Sequence, residues 1–389
     1  MISDLNLDDY NYSLENNRIA KYPKSKRDDS KLLVYKEGKL INQKFYNIDK
    51  NIPSESSVFF NNSKVINARL IFKNRNNTKI EILIINLFNK NYQNLLFNKK
   101  KVVIETMIKN IKKWKKNEII VKANNDINLK AEQLNNNKVI FTWNKNKTWL
   151  EILEIFGKIP LPPYLKRDSL PEDLISYQTI YSKDQGSIAS PTAGLHFTKS
   201  LINKMNKNFL IDFITLHIGI GTFKPVTTKN INQHNMHSEV ISFNKKNIIN
   251  IYNSNNITAI GTTSMRFLES IYLVGQMINE KYKNLNIKKF LYNKMSNKLT
   301  KQESMEEIIN YMEKNKLNTI NLNTSIFILP GYNFKICDQL ITNFHYPKST
   351  LILLIAAFIG EDWKKLYKFA IKNNYRFLSY GDSSLLFKK

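Results

Sequence analysis

The histidines of this chain occupy only its second half. All five lie between His196 and His345, each in a short polar segment that also contains glycine, threonine or serine. Because histidine is the side chain whose ordinary pKa lies closest to neutral pH, this restriction favours an acid–base site. The alternative is a set of unrelated core or surface histidines.

Five polar segments share this composition, and one of them lacks histidine. They are SPTAGLHFT (190–198), TLHIGIGTF (215–223), HNMHSE (234–239), IGTTSMR (260–266) and TNFHYPKST (342–350). In the first segment, Gly194 permits close approach of a ligand to the backbone, and Thr192 and His196 can hydrogen-bond its polar edge. The same residues would also suit a capped helix start.

The second segment places Gly219 and Gly221 directly after His217. It lacks the third glycine of a dinucleotide-binding turn, and a proline follows where the helix should begin. The pattern favours a strand end on which a ligand lies against the backbone, with Thr222 beside it. A β-bulge without function is the alternative.

His234, His237 and Glu239 admit two chemical interpretations. Together with His345 they have the residue types of a zinc site. The helical HExxH spacing is missing, however, and the observed spacing often arises by accident. An acid–base pair, in which Glu239 orients His237 or raises its basicity, needs fewer assumptions.

The two remaining segments are typical of strand-to-helix turns. In one, Thr262, Thr263 or Ser264 can cap the following helix. The other contains side chains that suit a carboxylate or phosphate: Asn343, His345, Lys348, Ser349 and Thr350. A capped structural helix is the alternative for this segment.

The chain is strongly basic, with 59 Lys and Arg against 32 Asp and Glu, a net charge of +27. Such an excess indicates a polyanionic partner, because lysines that neutralise phosphates gain affinity by counterion release. A bias toward A/T-rich codons would produce the same lysine excess. Only seven residues are arginine, and Arg266 and Arg376 lie in or beside the polar segments as candidate anion ligands.

Cys337 is the only cysteine, which excludes a disulfide within the chain and any CxxC site. The acidic N-terminal residues differ from a signal peptide, and the longest apolar stretch, 351–359, is too short to span a bilayer. We therefore expect a cytoplasmic protein with no membrane partner, and we expect a monomer.

Two architectures follow one another along the chain. From about Lys64 to Trp149, short β-rich runs at 79–88, 102–108, 118–122 and 138–143 are separated by Asn/Lys-rich turns, which predicts a small antiparallel sandwich or barrel. Later, the runs 257–261 and 339–345 each lead into a helical pattern, and 375–381 reads as a third strand. This alternation predicts an α/β domain with a largely parallel sheet.

In such sheets, ligands bind at the carboxyl ends of the strands, beside helix N-termini. The polar segments lie at those predicted ends. We therefore expect one cleft formed by His217, Gly219, Gly221, Thr262 to Ser264, Asn343, His345 and Asp382.

Further segments complete an ordered set along the chain. They are IAKYPKSKRDDSKLLV (19–34), FFNNSKVINARL (59–70), IPLPPYL (159–165), YQTIYS (177–182), GSIASPTAGLHFT (186–198), TLHIGIGTFKPV (215–226), HNMHSE (234–239), AIGTTSMRFLES (259–270), LPGY (329–332), LITNFHYPKSTL (340–351) and YRFLSYGD (375–382). As a set in this order, they resemble the S-adenosylmethionine:tRNA ribosyltransferase-isomerases of queuosine biosynthesis. Lys31 and Lys64 stand where the family usually has arginine, which keeps the charge but loses the bidentate fork.

The resemblance implies a transferase that moves and isomerises the ribosyl group of S-adenosylmethionine onto the aminomethyl group of a 7-deazaguanine at the tRNA wobble position. Epoxyqueuosine-tRNA, adenine and methionine are then the products. It implies a three-layer α/β/α domain (residues 1–63 and 151–389) with an inserted small antiparallel β-barrel domain (64–150). It also implies no metal and no cofactor beyond S-adenosylmethionine as co-substrate.

Roles follow for the candidate residues. His217, His237 and His345 are candidates for base and acid, and Glu239 or Asp382 for the group that neutralises the attacking ammonium. Arg266 or Lys348 would meet the methionine carboxylate. The expected substrate contacts are Thr192, Gly194, His196, Gly219, Gly221, Thr222, Thr262, Thr263, Ser264, Arg266, Asn343, Lys348, Ser349, Thr350 and Tyr380. The rival functions are a non-catalytic RNA-binding protein and a metal-dependent hydrolase using His234 and His237.

Overall fold

The computed structural model describes residues 5–86, 92–219, 221, 231–296 and 299–389. The strands in this part of the chain are β1 (Lys31–Lys36), β2 (Lys39–Lys44), β3 (Ser56–Asn61), β4 (Ser63–Val65), β5 (Arg69–Lys73), β6 (Lys79–Asn86), β7 (Lys101–Lys109), β8 (Ile119–Asn124), β9 (Ile127–Asn135), β10 (Lys138–Trp143), β11 (Gly157–Lys158), β12 (Asp184–Ser187), β13 (Leu210–His217), β14 (Glu239–Asn244), β15 (Asn256–Ile260), β16 (Thr319–Thr324), β17 (Gln339–Asn343) and β18 (Ser383–Phe387).

The α-helices over the same residues are α1 (Tyr92–Phe97), α2 (Trp149–Phe156), α3 (Asp173–Ser176), α4 (Lys199–Met205), α5 (Lys245–Asn253), α6 (Thr262–Asn279), α7 (Lys301–Lys314), α8 (Thr350–Ile359) and α9 (Asp362–Lys372). Within the described ranges, no helix combines the length and the apolar character needed to cross a bilayer.

Nine of the described strands form one mixed sheet, in the order β16-β14-β13-β3-β15-β17-β18-β1-β2. Its centre, β13-β3-β15-β17, is parallel throughout. The carboxyl ends of these four strands therefore meet at one edge of the sheet. β18 runs antiparallel to β17, with Ser383 opposite Asn343, so the start of β18 lies at the same edge.

Helices cover both faces of this sheet. Because successive side chains of a strand point to opposite faces, Phe59 packs into the larger core with α6 and α8, whereas its neighbours Val58 and Phe60 pack with α4 on the other face. All three side chains are fully buried. The predicted three-layer α/β/α architecture is confirmed.

The second sheet is antiparallel, in the order β11-β5-β6-β7-β10-β9-β8. The edge strand β8 approaches β5, the longer strand next to the opposite edge, which gives the predicted barrel-like closure. Trp149 and Phe156 of α2 are buried in its core, and β11 pairs with β5. We therefore propose a boundary for the inserted domain near Lys158, somewhat later than the residue 150 expected from the sequence.

Two local predictions were wrong. Residues 375–381 are not a strand in the nine-stranded sheet; the chain there makes turns, and the strand follows at 383–387. Likewise, none of Thr262, Thr263 and Ser264 caps α6. Gly261 occupies the N-cap position at φ 89° without a side-chain hydrogen bond, because only glycine adopts this backbone conformation readily.

Candidate active site

A cavity of about 330 Å3 lies at the carboxyl ends of β15 and β17. Its walls come from the segments that follow these strands, from residues 189–193 and from residues 163 and 164. The lining residues are Pro163, Tyr164, Ala189, Ser190, Pro191, Thr192, Ala193, Ile218, Gly261, Thr262, Thr263, Thr342, Asn343, His345, Tyr346, Pro347, Ser349, Leu351, Leu378 and Ser379. A mostly apolar wall with a few polar groups, at this edge of a parallel sheet, is typical of a small-molecule site.

Three polar atoms of this wall are buried without a hydrogen-bond partner among the described residues: Ser190 Oγ, Thr263 Oγ1 and Asn343 Oδ1. Buried polar atoms are ordinarily paired, and leaving one unpaired costs about 1–3 kcal/mol. The three atoms therefore fit a polar ligand in the cavity.

The Asn343 amide is held in one orientation by its neighbours. Its Nδ2 donates to the Leu378 carbonyl at 3.1 Å and lies 3.2 Å from His196 Nε2. His196 Nδ1 in turn lies 3.1 Å from Ser30 Oγ, and that hydroxyl donates to the Arg27 carbonyl. His196 must therefore carry its proton on Nδ1 and accept from Asn343, which leaves Asn343 Oδ1 as a buried acceptor beside the cavity.

His196 itself does not line the cavity. Burial, assisted by the charge of Arg376, lowers the pKa of His196 to about 3, so the imidazole stays neutral, as this hydrogen-bond chain requires. His345, by contrast, lines the cavity, and its Nε2 lies 2.9 Å from Thr342 Oγ1. Burial lowers the pKa of His345 to about 3 as well.

Beside the cavity, Glu239 connects two of the predicted residues. Its Oε1 lies 3.1 Å from His237 Nε2 and accepts from the Gly219 amide at 3.3 Å. Its Oε2 accepts from Arg266 Nη1. Glu239 begins β14 and Arg266 lies in the second turn of α6, so sheet and helix together fix this arrangement.

The charges and hydrogen bonds around Glu239 keep its carboxyl group ionised. Burial by itself would raise the pKa of this carboxyl, but the charges of Arg266 and His237 and the hydrogen bonds from His237 and Gly219 hold the pKa at about 2. An ionised carboxylate has no proton to donate, so His237 Nε2 carries the hydrogen of this contact. Glu239 thereby fixes the tautomer and the ring orientation of His237.

Gly221 lies against the His237 ring. A Cβ atom built on Gly221 would lie 2.4 Å from His237 Cγ, so any larger residue would displace the imidazole. The side chain of His237 is 21% exposed. It also borders a smaller cavity of about 20 Å3, together with Arg266 and Thr350. This smaller cavity shares Thr262, Thr263 and Leu351 with the large one, so the Glu239 cluster adjoins the main cavity.

His217 is the last residue of β13 and is buried. The next residue, Ile218, lies in the wall of the larger cavity. Burial lowers the pKa of His217 to about 4, although Asp184 acts in the opposite direction. His217 does not line either cavity in the described part of the chain.

Several predicted residues face away from the cavity. Asp382 accepts from the backbone amides of Lys31 and Arg376 at 3.0 and 2.8 Å. Tyr380 donates to Asp173 Oδ1 at 3.0 Å. Both arrangements hold turns of the backbone together, and neither side chain lines the cavity.

The other predicted contacts that do not line either cavity have local structural partners. Lys348 Nζ lies 2.5 Å from Asp8 Oδ1 on the surface. Ser264 Oγ donates to the Ile260 carbonyl at 2.7 Å. A Cβ on Gly194 would lie 1.9 Å from the Tyr181 hydroxyl oxygen, so this glycine permits close packing. Thr222 lies outside the described residues.

Several polar wall residues were missed by the sequence analysis, among them Ser190, Tyr164 and Ser379. Tyr164 and Ser379 both line the cavity, and their side-chain oxygens lie 2.5 Å apart. Both occur inside motifs that carry the family resemblance, IPLPPYL and YRFLSYGD. Nothing in the type or spacing of either residue indicates that two segments so distant in sequence meet.

Of the side chains considered as zinc ligands, only His237 and Glu239 contact each other among the described residues. No group of three or more His, Cys, Asp or Glu side chains among the described residues is placed to hold a metal ion. The His234 ring packs 5.8 Å from that of Phe327, and Glu239 is engaged by Arg266. The residues present therefore do not form the metal site that their spacing allowed.

Comparison with known proteins shows the family of this chain. A sequence profile described as "Queuosine biosynthesis protein" matches residues 7–386. The chain belongs to this queuosine biosynthesis family. Relatives called S-adenosylmethionine:tRNA ribosyltransferase-isomerase include those of Francisella philomiragia, 38% identical over 98% of this chain and 99% of its own, and Sulfurihydrogenibium sp., 36% identical over 98% and 100%.

Among solved structures, the chain is similar to the S-adenosylmethionine tRNA ribosyltransferase of Thermotoga maritima, with 25% identity, a TM-score of 0.47 and coverage of 97% and 99% of the two chains. Membership in the queuosine biosynthesis family confirms the resemblance found in the sequence motifs.

Proposed function

We propose that this protein transfers and isomerises the ribosyl group of S-adenosylmethionine onto the aminomethyl group of 7-aminomethyl-7-deazaguanine at the tRNA wobble position. The products are epoxyqueuosine-tRNA, adenine and methionine. The observation that carries the proposal is the full-length match to relatives of that name. The cavity at the carboxyl edge of the sheet, with three polar atoms that have no partner among the described residues, supplies a site of suitable size and polarity.

The reaction needs a base beside the sulfonium, an acid that assists adenine departure, and a group that neutralises the attacking ammonium. We assign the base to His237, because Glu239 fixes its tautomer and its ring borders both the cluster and the smaller cavity. His217 and His345 have pKa values lowered by burial to about 4 and about 3. We assign them hydrogen-bonding roles, since imidazoles with pKa values this low are weak bases and are not protonated acids at pH 7.

Glu239 is the better candidate to stabilise positive charge, because its carboxylate stays ionised and contacts His237 and Arg266, which border the smaller cavity. Asp382, the other candidate, is engaged by two backbone amides, and we assign it a positioning role. Asn343, which lines the cavity and whose Oδ1 has no partner among the described residues, is proposed to accept a hydrogen bond from the nucleoside. No step in this scheme requires a metal or another cofactor.

The tRNA is proposed to bind through a basic, lysine-bearing face that leads to the cavity, with the protein acting as a cytoplasmic monomer. The net charge of +27 supports this proposal. Each lysine–phosphate contact releases counterions, so the affinity for the anticodon stem-loop should fall steeply as salt rises. Binding that does not depend on salt would contradict this part of the proposal.

The deciding experiment incubates the protein with S-adenosylmethionine and tRNA that carries the aminomethyl-deazaguanine. Free adenine and a modified nucleoside, both detected by mass spectrometry, are expected together. A non-catalytic RNA-binding protein would bind the tRNA and release no adenine. A metal-dependent hydrolase would lose its activity with a chelator, whereas the proposed transferase would keep it.

A further inference from the structure

The N-terminus of α6 offers several hydrogen-bond donors at the boundary between the two cavities. The first amides of an α-helix have no intrahelical acceptor, and the cap residue of α6, Gly261, contributes no side-chain hydrogen bond. Among the described residues, none accepts from the amides of Thr262 or Thr263. Both residues line both cavities. The N-terminus of this 18-residue helix therefore borders both cavities with backbone amides that have no acceptor among the described residues.

Arg266 provides an independent indication of an anionic ligand. Its side chain is only 6% exposed, and it borders the smaller cavity. Nη1 contacts Glu239 and Nε donates to the Ile326 carbonyl at 3.3 Å. Nη2, however, is buried with no hydrogen-bond partner in the described structure. A buried guanidinium nitrogen without an acceptor strongly favours a carboxylate or phosphate oxygen beside it.

A second helix begins at the same place. Thr350, the first residue of α8, borders the smaller cavity, and its cap residue Ser349 lines the larger one. Neither α6 nor α8 has an acidic residue in its first turn. The positive ends of two helix dipoles and Arg266 thus meet beside Thr263 Oγ1, a buried hydroxyl that also has no partner among the described residues.

We propose that the carboxylate of the methionine portion of S-adenosylmethionine binds here, against the α6 amides, Thr263 Oγ1 and Arg266 Nη2. This inference rests on the proposed function and fixes how the substrate lies: the nucleoside occupies the larger cavity near Asn343, and the amino-acid end points to α6. The sulfonium then lies between them, on the side where His237 borders the smaller cavity.

Lys348 is the other cation that the sequence predicted to bind this carboxylate, but it does not border the proposed site. Its side chain is 40% exposed and pairs with Asp8, and it lines neither cavity in the described part of the chain. The choice between the two cations therefore falls to Arg266.

The test compares two ligands that differ only in this carboxylate, S-adenosylmethionine and decarboxylated S-adenosylmethionine, by calorimetric titration without tRNA. The wild-type protein is expected to bind S-adenosylmethionine at least about tenfold more tightly, because charge-assisted hydrogen bonds are lost with the carboxylate. Thr263→Val removes the unpartnered hydroxyl at nearly constant volume. Arg266→Lys keeps the charge opposite Glu239 and removes the planar fork.

Both substitutions are expected to reduce the preference for the carboxylated ligand by about fivefold or more, mainly by weakening S-adenosylmethionine binding. The control is Ser56→Ala, which removes another buried hydroxyl without a partner at the opposite, amino end of β3. It should leave the preference unchanged.

Equal affinity of the wild type for both ligands, or an unchanged preference in both variants, would overturn the inference and leave the proposed function standing. Weaker tRNA binding by the variants with an unchanged ligand preference would also overturn it, by identifying the anion as a tRNA phosphate. Failure of the wild type to bind S-adenosylmethionine at all would instead remove the proposed function, and the inference with it.

Discussion

His237 and Arg266 contact opposite oxygens of one buried carboxylate, that of Glu239. Glu239 is fully buried, whereas the His237 side chain keeps 21% of its exposure. The Glu239 carboxylate therefore lies between the buried guanidinium of Arg266 and the imidazole of His237, which borders the smaller cavity. This relationship links the proposed base, His237, to the proposed carboxylate ligand, Arg266.

Removing the charge of Glu239 should affect both activity and stability. Glu239→Gln leaves the buried Arg266 without its counter-charge, which is expected to cost about 3–5 kcal/mol of unfolding free energy. Turnover should fall by roughly 100-fold or more, since His237 loses the group that fixes its tautomer. Urea unfolding and adenine release measure the two effects. Glu239→Asp, which keeps the charge, should recover most of the stability; equal stability of the two variants would contradict the role of the charge.

His237→Asn should reduce turnover by about 100- to 10,000-fold if this imidazole is the base. Because the side chain is partly exposed, the unfolding free energy should change by no more than about 1 kcal/mol. The matched control is His234→Asn in the same segment, whose ring packs near Phe327 and which should keep nearly full turnover. Single-turnover adenine release distinguishes them, and full activity of a folded His237→Asn protein would remove His237 as the base.

Gly221→Ala should lower turnover through His237. The added Cβ would lie 2.4 Å from His237 Cγ, so the ring must move away from Glu239 and from its reactive position. The expected effect is a decrease in kcat of about tenfold or more with little change in the melting temperature. The same substitution made in the His237→Asn background should have almost no further effect on kcat. Additive losses in the double variant would show that Gly221 acts elsewhere.

Buried neutral histidines should make the protein less stable in mild acid. His196 and His345 have folded-state pKa values lowered by burial to about 3, below the value near 6.5 of an unfolded chain. Below that value the unfolded chain binds protons that the folded protein does not, so stability falls as the pH falls. Each residue should remove about 2 kcal/mol between pH 7 and pH 5.

The measurement is urea unfolding at several pH values for the wild type and for His196→Gln. The variant is expected to be less stable at pH 7, since it disturbs the hydrogen bonds to Ser30 and Asn343. Between pH 6 and pH 4, unfolding of the variant should nevertheless take up about one proton fewer than unfolding of the wild type, so the stability of the variant should depend less on pH. An identical pH dependence in both proteins would mean that His196 is protonated in the folded state.

The secondary structure around the site followed from local patterns. The apolar run 257–261 predicted a strand, and the helical pattern directly after it predicted a helix. The structure has β15, which ends at Ile260, and α6 at these positions. Because parallel strands end at one edge, placing the polar segments there also predicted that residues such as Thr262, Asn343 and His345 come together, and these three line one cavity. The barrel strands followed in the same way from their alternation.

The directions of individual side chains did not follow from the sequence. Asp382 lies at the expected edge of the sheet, yet its carboxylate faces the amides of Lys31 and Arg376. Which of several polar side chains at an edge turns toward a ligand depends on which backbone donors are left unpaired nearby. Those donors come from segments that are far away along the chain.

By itself, the sequence determined the order of the motifs, the family and the edge of the sheet where its polar residues collect, since these depend on residue types and short-range periodicity. Only the tertiary structure decided that Glu239 joins His237 to Arg266 and that Tyr164 meets Ser379. It also decided that His196 holds the amide of Asn343 in the cavity wall. These contacts depend on how separate elements pack, and packing brings together atoms that no spacing along one segment relates.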